Sequence, residues 1–369
     1  MNDGARGDNA GYRKRNSELQ AKPPRGKPFK GKPEDRYAAL DLGTNNCRLL
    51  IAAPRGKQLR IVDAFSRIVR LGEGLSTSGV LSGTAMVRAI DALKVCAEKI
   101  HRRGVTHSRC IATQACRGAE NGQAFLDRVY AETGLKFDII SAEEEARLAV
   151  AGCADLLDPE AKAGLIFDIG GGSTEISWMR RQNSEHPAEI AAWTSLPIGV
   201  VNLAEKWGGR EIDEDCYEKI VDDVRIAVAA VGDPAGMKAN FETNNAHFLG
   251  TSGTVTSIAG VHLELPRYRR DDVDGLWLEV SEARAVTEKL RSMSFAERSA
   301  EPCIGHERAD LVVCGCAILE ALLREWPSSR IRVADRGLRE GILEELARKS
   351  RRDRNRKRRR AKKQSKSGH

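Results

Sequence analysis

Three short stretches of this chain place glycines among hydroxyl and amide side chains where apolar runs end: residues 41–48 (DLGTNNCR), 168–175 (DIGGGSTE) and 250–254 (GTSGT). A glycine turn frees backbone N–H groups to approach an anion, and neighbouring hydroxyls add donors, so each stretch suits a phosphate group. The candidate donors are Gly43, Thr44, Asn45 and Asn46 in the first, with Arg48 adding a charge. In the second they are Gly170, Gly171, Gly172, Ser173 and Thr174, and in the third Ser252, Gly253 and Thr254. Asp168 and Glu175 flank the second turn. A strand-end carboxylate beside a hairpin carboxylate can share a hard cation, and Mg2+ fits because it keeps most of its waters and takes only one or two protein carboxylates. No turn matches GxxxxGK[ST] or GxGxxG with its later acidic residue, which argues against a P-loop NTPase or a dinucleotide-binding dehydrogenase. The seven histidines include no HExxH and no His-Asp pair, so neither a zincin nor a metal-dependent HD site is indicated.

The elements that must hold these turns follow from the apolar pattern. Residues 37–41 (YAALD) read as a short buried strand, 48–53 (RLLIAA) as a second and 59–65 as a third, a hairpin at the head of a domain. Between 82 and 103 the apolar residues Met86, Ile90, Leu93, Ala97 and Ile100 recur at helical spacing, with Ser82 or Thr84 as cap and Gly104 as stop. A strand at 110–113, a helix at 124–132, a strand at 137–140 and a helix at about 142–156 then alternate as in an α/β layer. At 163–168 (AGLIFD) the opening pattern returns: an apolar strand ending in aspartate, a glycine turn, and a second strand at 175–179. Asp41 and Asp168 lie 127 residues apart, about one domain length, which predicts two similar halves facing each other across a cleft. Helices near 216–231, 281–293 and 309–324, strands at 247–249 and 331–334, and a closing helix at 338–348 complete the second half.

With 369 residues the chain has room for two domains, and no uninterrupted apolar run is long enough to cross a membrane, so a cytoplasmic location without membrane contact is expected. The nine cysteines are scattered, with no CxxC pair or zinc spacing, and read as buried thiols. The net charge of +8 is unevenly spread: residues 1–35 hold nine Lys/Arg against five Asp/Glu, residues 348–369 thirteen against one, and the core between them is left at −8. Residues 1–35 and 349–369 are therefore expected to be disordered basic tails able to contact polyanions, nucleic acid among them.

Six motifs, DLGTNNCRLL (41–50), ATQACR (112–117), SAEEEARL (141–148), DIGGGSTE (168–175), GTSGT (250–254) and GLREG (337–341), resemble in order and spacing the exopolyphosphatase/guanosine pentaphosphate phosphatase (Ppx/GppA) family, over roughly residues 37–345. The resemblance implies an α/β chain of two RNase H-like, actin-like domains across a cleft, here 36–148 and 149–348. It implies that Glu145 is the catalytic base, activating a water for in-line attack on a terminal phosphorus. The residues alone leave Glu143, Glu144 and Glu145 open, since they lie about 100° apart on a helix and acids at a helix start also favour its dipole. Phosphoryl transfer requires neutralisation of the equatorial oxygens, a task that fits Arg48 and Arg117. Arg67 and Arg70 precede LGEGL (71–75), where a cleft-edge loop is expected in the family, and would guide substrate. The implied reaction is Mg2+-assisted removal of the terminal phosphate of inorganic polyphosphate. Guanosine pentaphosphate (pppGpp) is the alternative substrate, and a non-catalytic phosphate-ligand sensor with nucleic-acid-binding tails is the alternative of another class. Longer relatives carry a C-terminal HD-like domain, and this chain resembles the short form; a homodimer rests on family analogy alone.

Overall fold

A computed structural model describes residues 35–366 except 57, 183–185 and 187, with side chains placed to residue 356. The N-terminal tail expected at 1–35 thus falls outside the described residues, apart from Asp35 itself. Two sheets organise the chain. The first contains β1 (Tyr37–Leu42), β2 (Asn46–Arg55), β3 (Gln58–Ile68), β4 (His107–Ala112) and β5 (Phe137–Ile139) in the order β3-β2-β1-β4-β5. The second contains β6 (Ala163–Ile169), β7 (Thr174–Arg180), β8 (Glu189–Leu196), β9 (Ala246–Gly250), β10 (Trp277–Glu279) and β11 (Arg330–Val333) in the order β10-β11-β9-β6-β7-β8.

The repeat read from the two aspartates extends to the whole sheet. In each half an antiparallel three-strand meander comes first, and its opening strand then pairs in parallel with the strand that follows a helical crossover. Apolar side chains fill both faces of β1 and β6, as parallel neighbours covered by helices require. Among the helices, Gly83–Arg102 begins where expected, with the Ser82 hydroxyl accepting from the Ala85 N–H at 3.2 Å. Several elements carry no reading from sequence, among them the edge strand β8, of which Leu196 alone is buried, the short strand β10, and the helix Val200–Trp207.

The domain limits differ from those expected. The boundary at 148/149 cuts through the continuous helix Ala142–Cys153, whose Leu148 packs in a cluster with Tyr37, Ala39 and Leu50 of the first sheet while Val150 and Cys153 pack with Ile166 and Leu249 of the second. The closing helix does not stay with the second half. It runs Leu338–Lys366 and buries Ile342, Leu343 and Ala347 against β1 and β2. Nor does it stop at Arg348, and residues 349–366, expected to be a disordered tail, continue it. No Gly or Pro interrupts 342–366, and Arg, Lys and Gln are good helix formers, so a helix already docked by its first turns can propagate. The two domain-crossing helices touch through glycines: a Cβ on Gly152 would lie 1.9 Å from the Gly337 carbonyl oxygen, and one on Gly341 2.0 Å from that of Leu148.

All nine cysteines are free, and eight are buried. No helix among the described residues is long and apolar enough to cross a membrane.

Candidate active site

The ends of β1 and β6 carry their aspartates to one cavity between the domains. The two turns there are constructed alike. In the first, the Gly43 N–H closes onto the Asn46 carbonyl at 2.9 Å; in the second, the Gly170 N–H closes onto the Ser173 carbonyl at 2.8 Å. Neighbouring carbonyls face away from the cavity's centre. Thr44 O accepts from Gly72, and Asn45 O from Val69 and Arg70, at 2.8–3.0 Å. Gly170 O and Gly171 O accept from Val200 and Val201 at 3.0 and 2.8 Å, and Gly172 O from the Asn202 side chain at 3.1 Å. The bonds from Val200 and Val201 satisfy two of the orphan N–H groups that start the helix Val200–Trp207. With their carbonyls engaged, the turns present N–H groups: among the described residues none pairs with the amides of Thr44, Asn45, Gly171 or Gly172. Backbone donors without acceptors at a cavity wall form a receptor for anionic oxygens.

The tips of the two turns also press on each other. A Cβ on Gly171 would lie 3.1 Å from Asn45 N and Thr44 Cβ, and one on Gly199 would lie 2.4 Å from the Gly171 carbonyl carbon. The bare backbone of the second turn is thus required by the side chains of the first as well as by any ligand.

Carboxylates crowd the floor. Asp168 and Glu175 are register partners across β6 and β7, so their side chains rise from the same face. Burial and the Asp168 charge push Glu175, only 5% exposed, up to about 7, although the Ser195 hydroxyl donates to it at 2.8 Å. Burial raises Asp168, with Arg48 pulling the other way. Asp41 is raised to about 6 by burial, again against Arg48, and its buried Oδ1 lacks a protein partner. Glu145, from the first turn of Ala142–Cys153, lines the same cavity as Gly43 and Gly171. Its carboxyl is held well above the usual range by burial and Glu175, with Arg117 opposing. The neighbouring Glu144 pairs instead with Arg109 at 2.5 Å, which separates the two glutamates that sequence periodicity could not. Ser141 caps this helix, its hydroxyl accepting from Glu144 N–H at 3.1 Å, so the cluster does serve the helix start too.

Of the expected residues, Gly43, Thr44, Asn45, Asn46, Arg48, Glu145, Asp168, Gly170, Gly171, Gly172, Ser173, Glu175, Gly253 and Thr254 line the cavity. Five others are placed differently. Arg117 stands behind Glu145, donating to it at 3.2 Å and to the Ile140 carbonyl at 2.8 Å, so it orients a carboxylate and does not line the cavity. The Thr174 hydroxyl donates to Ile198 O at 2.7 Å, and the Ser252 hydroxyl accepts from Val255 N–H at the start of Gly253–His262; both are 1% exposed and structural. Arg70 makes a two-pronged ion pair with Asp310 of the other domain at 2.8 and 2.9 Å, which commits its charge to bridging the domains. Arg67 lies in a neighbouring groove with Tyr268 and His306, its guanidinium 5.3 Å from the Phe65 ring.

Two cavity arginines had no assigned role in the sequence reading. Arg339, inside GLREG, and Arg308, in the loop before Val312–Glu325, join Arg48 at the wall. Among the described residues none of these three has a carboxylate within 4 Å, whereas Arg336, also in the wall, pairs with Asp274 and Asp155. Three unpaired guanidiniums, four raised carboxylates and open backbone amides make a site for a polyanion whose charge is shared between arginines and a cation.

A family model for Ppx/GppA phosphatases matches residues 50–350. Among curated relatives, the guanosine-5'-triphosphate,3'-diphosphate pyrophosphatase of Photobacterium profundum is 28% identical over 316 residues, which cover 85% of this chain and 60% of that protein. The chain therefore spans about 60% of the length of this curated relative. A solved Ppx/GppA family member from Aquifex aeolicus is 27% identical with a TM-score of 0.68, covering 86% of this chain and 99% of its own. An exopolyphosphatase structure from Cytophaga hutchinsonii is 25% identical with a TM-score of 0.74, covering 84% and 96%. These likenesses bear out the expected fold, two actin-like domains of the same strand order across a cleft. The chain belongs to the Ppx/GppA phosphatase family.

Proposed function

We propose that this protein hydrolyses the terminal phosphoanhydride of a linear phosphate chain, with inorganic polyphosphate as its substrate. The observation that carries the reading is the pair of turns whose tip carbonyls are engaged and whose amides at Thr44, Asn45, Gly171 and Gly172 are left open beside one cavity shared with Glu145. The turns and Arg48, Arg308 and Arg339 bind the phosphate oxygens. Glu145 accepts a proton from the attacking water, and its raised pKa makes it a stronger base once ionised. Arg117 fixes the direction of that carboxylate. The P–O bond to the rest of the chain breaks as the water oxygen bonds to phosphorus, releasing orthophosphate.

Asp168 and Glu175 fit Mg2+: they are adjacent carboxyls that a bound cation would hold ionised, and Asp41 beside them has an orphaned oxygen. Among the described residues no group of three or more His, Cys, Asp or Glu forms a preformed cage, which suits an ion that completes its shell with water and substrate. When bound, the ion neutralises charge on the transferring phosphoryl group.

The name of the Photobacterium profundum relative favours pppGpp as a second substrate for the same cavity. The test is orthophosphate release from long polyphosphate and from pppGpp, with and without Mg2+. The reading expects Mg2+-dependent release, higher kcat/KM on polyphosphate, and a loss of about a hundredfold or more in Glu145→Gln. Full activity in that variant, with its fold intact, would remove the proposed base.

A further inference from the structure

The closing helix joins two regions that differ in chemistry. At its start Gly337 and Arg339 line the cavity near Asp41, at the end of β1. Farther along, the Ser350 hydroxyl donates to Asp35, just before β1 begins, at 2.9 Å, and Arg354 pairs with the same carboxylate. The helix therefore runs antiparallel to β1 and away from the cavity. Ser350 is buried, and 351–356 beyond it are all exposed. From 351 to 366 the sequence holds eleven Lys/Arg against Asp353 alone, on a stretch that at the usual rise is about 24 Å long.

We infer that residues 351–366 form a nucleic-acid-binding arm that recognises the sugar-phosphate backbone without regard to sequence and lies apart from the catalytic cavity. Ala361 is the only apolar residue in the stretch, so no stripe exists for a lipid surface or a partner helix. There is no aromatic residue to stack on bases, which leaves phosphates as the recognised group. Cations at i and i+4, such as Arg352 and Arg356, repel each other along the helix. A polyanion relieves that repulsion, and a single helix has the width to enter a DNA major groove. Asp35, which contacts Ser350 and Arg354, directly follows residues 1–34, a stretch that holds nine further Lys/Arg in sequence. The direction of the helix distinguishes such an arm from one that feeds substrate: its basic end is the end farther from Arg339, with Arg351 already about 18 Å along the axis from it.

The test uses the full chain and labelled probes of about 30 nucleotides, one a duplex DNA and one a single-stranded RNA, with binding read by fluorescence anisotropy across a salt series. Binding that weakens steeply with salt is expected, and the probe bound more tightly identifies the source of the phosphodiester backbone. Replacing Arg356, Lys357, Arg358, Arg359 and Arg360 together by Gln is expected to weaken binding at least about tenfold at 0.1 M salt and flatten the log–log salt slope by about four. Turnover of tripolyphosphate should stay unchanged, so this result is independent of whether the chain hydrolyses polyphosphate. No binding at 0.05 M salt, or binding unaltered by the five substitutions, would overturn the inference. So would a variant that keeps nucleic-acid affinity and loses turnover of long polyphosphate, which would make the arm a substrate recruiter.

Discussion

The hairpin at residues 41–48 and the hairpin at 168–175 share a backbone and differ in charge. Both start from an aspartate at a strand end, close with the same glycine hydrogen bond, and return a partner residue to the aspartate after the same number of positions. Opposite Asp41 that partner is Arg48; opposite Asp168 it is Glu175. The first half thus sets a cation at the register position opposite its aspartate, and the second sets two carboxylates side by side. Duplication accounts for the matching turns, and a single side chain at one register position gives an otherwise symmetric cleft one hairpin with a cation and one with two carboxylates. The tips differ in a complementary way: Thr44 and Asn45 carry side chains where Gly171 and Gly172 are bare, because the first pair occupies the space beside the second.

The substitution that disturbs this asymmetry most is Glu175→Gln. It leaves Asp168 as the lone carboxylate of its hairpin, and kcat/KM on polyphosphate should fall about a thousandfold, since metal-assisted charge neutralisation is worth several kcal/mol. Steady-state kinetics over a range of Mg2+ concentrations measures it. Next comes Gly171→Ala, whose Cβ intrudes on Thr44 and Asn45. It should separate the turns and lower activity about a hundredfold while costing about 1–3 kcal/mol in denaturant unfolding. Arg48→Gln should lower kcat/KM about tenfold to a hundredfold by removing one guanidinium from the phosphate oxygens. Arg70→Ala breaks the interdomain pair with Asp310, which is part-exposed on both sides, and should raise KM a few-fold with no more than about 1 kcal/mol lost in stability.

The same asymmetry has a pH signature. Glu175 titrates near 7 in the fold against an ordinary value of 4.5, so the folded state holds its proton more tightly than the unfolded chain does. Its favourable contribution is complete below about 4.5 and is lost as pH rises through about 7. Glu175→Gln should therefore be more stable than the parent at pH 8, by on the order of 2 kcal/mol, and no more stable at pH 4.5. Urea unfolding at the two pH values compares them. Catalysis has the opposite slope, because the carboxylates act when ionised, and the parent's kcat/KM should rise as pH passes through about 7.

How much of this was readable in the chain depended on locality. An apolar strand, an aspartate and a glycine turn are contiguous, so the repeat and its cavity-lining residues could be read directly. Arg308 sits in an irregular loop, and only the meeting of the two domains brings it to the wall. Arg339 lay in a quoted motif without a role; the glycines at 337 and 341, four apart, were the available signal of a close helix crossing that would aim it inward. Ser252 and Thr174 look like phosphate donors by type, yet their oxygens are taken by a helix cap and a backbone carbonyl. The basic end of the closing helix was read as a tail because charge density suggested disorder, while an uninterrupted run of helix formers on a docked helix gave the better guide.

The most direct test of the charge asymmetry is calorimetric titration of Mg2+ into the substrate-free protein and into Glu175→Gln and Arg48→Gln. The account predicts that Glu175→Gln loses measurable binding, whereas Arg48→Gln binds as tightly as the parent or more so, its neighbouring cation being gone. Parent-like affinity in Glu175→Gln, or equal loss in both variants, would contradict it.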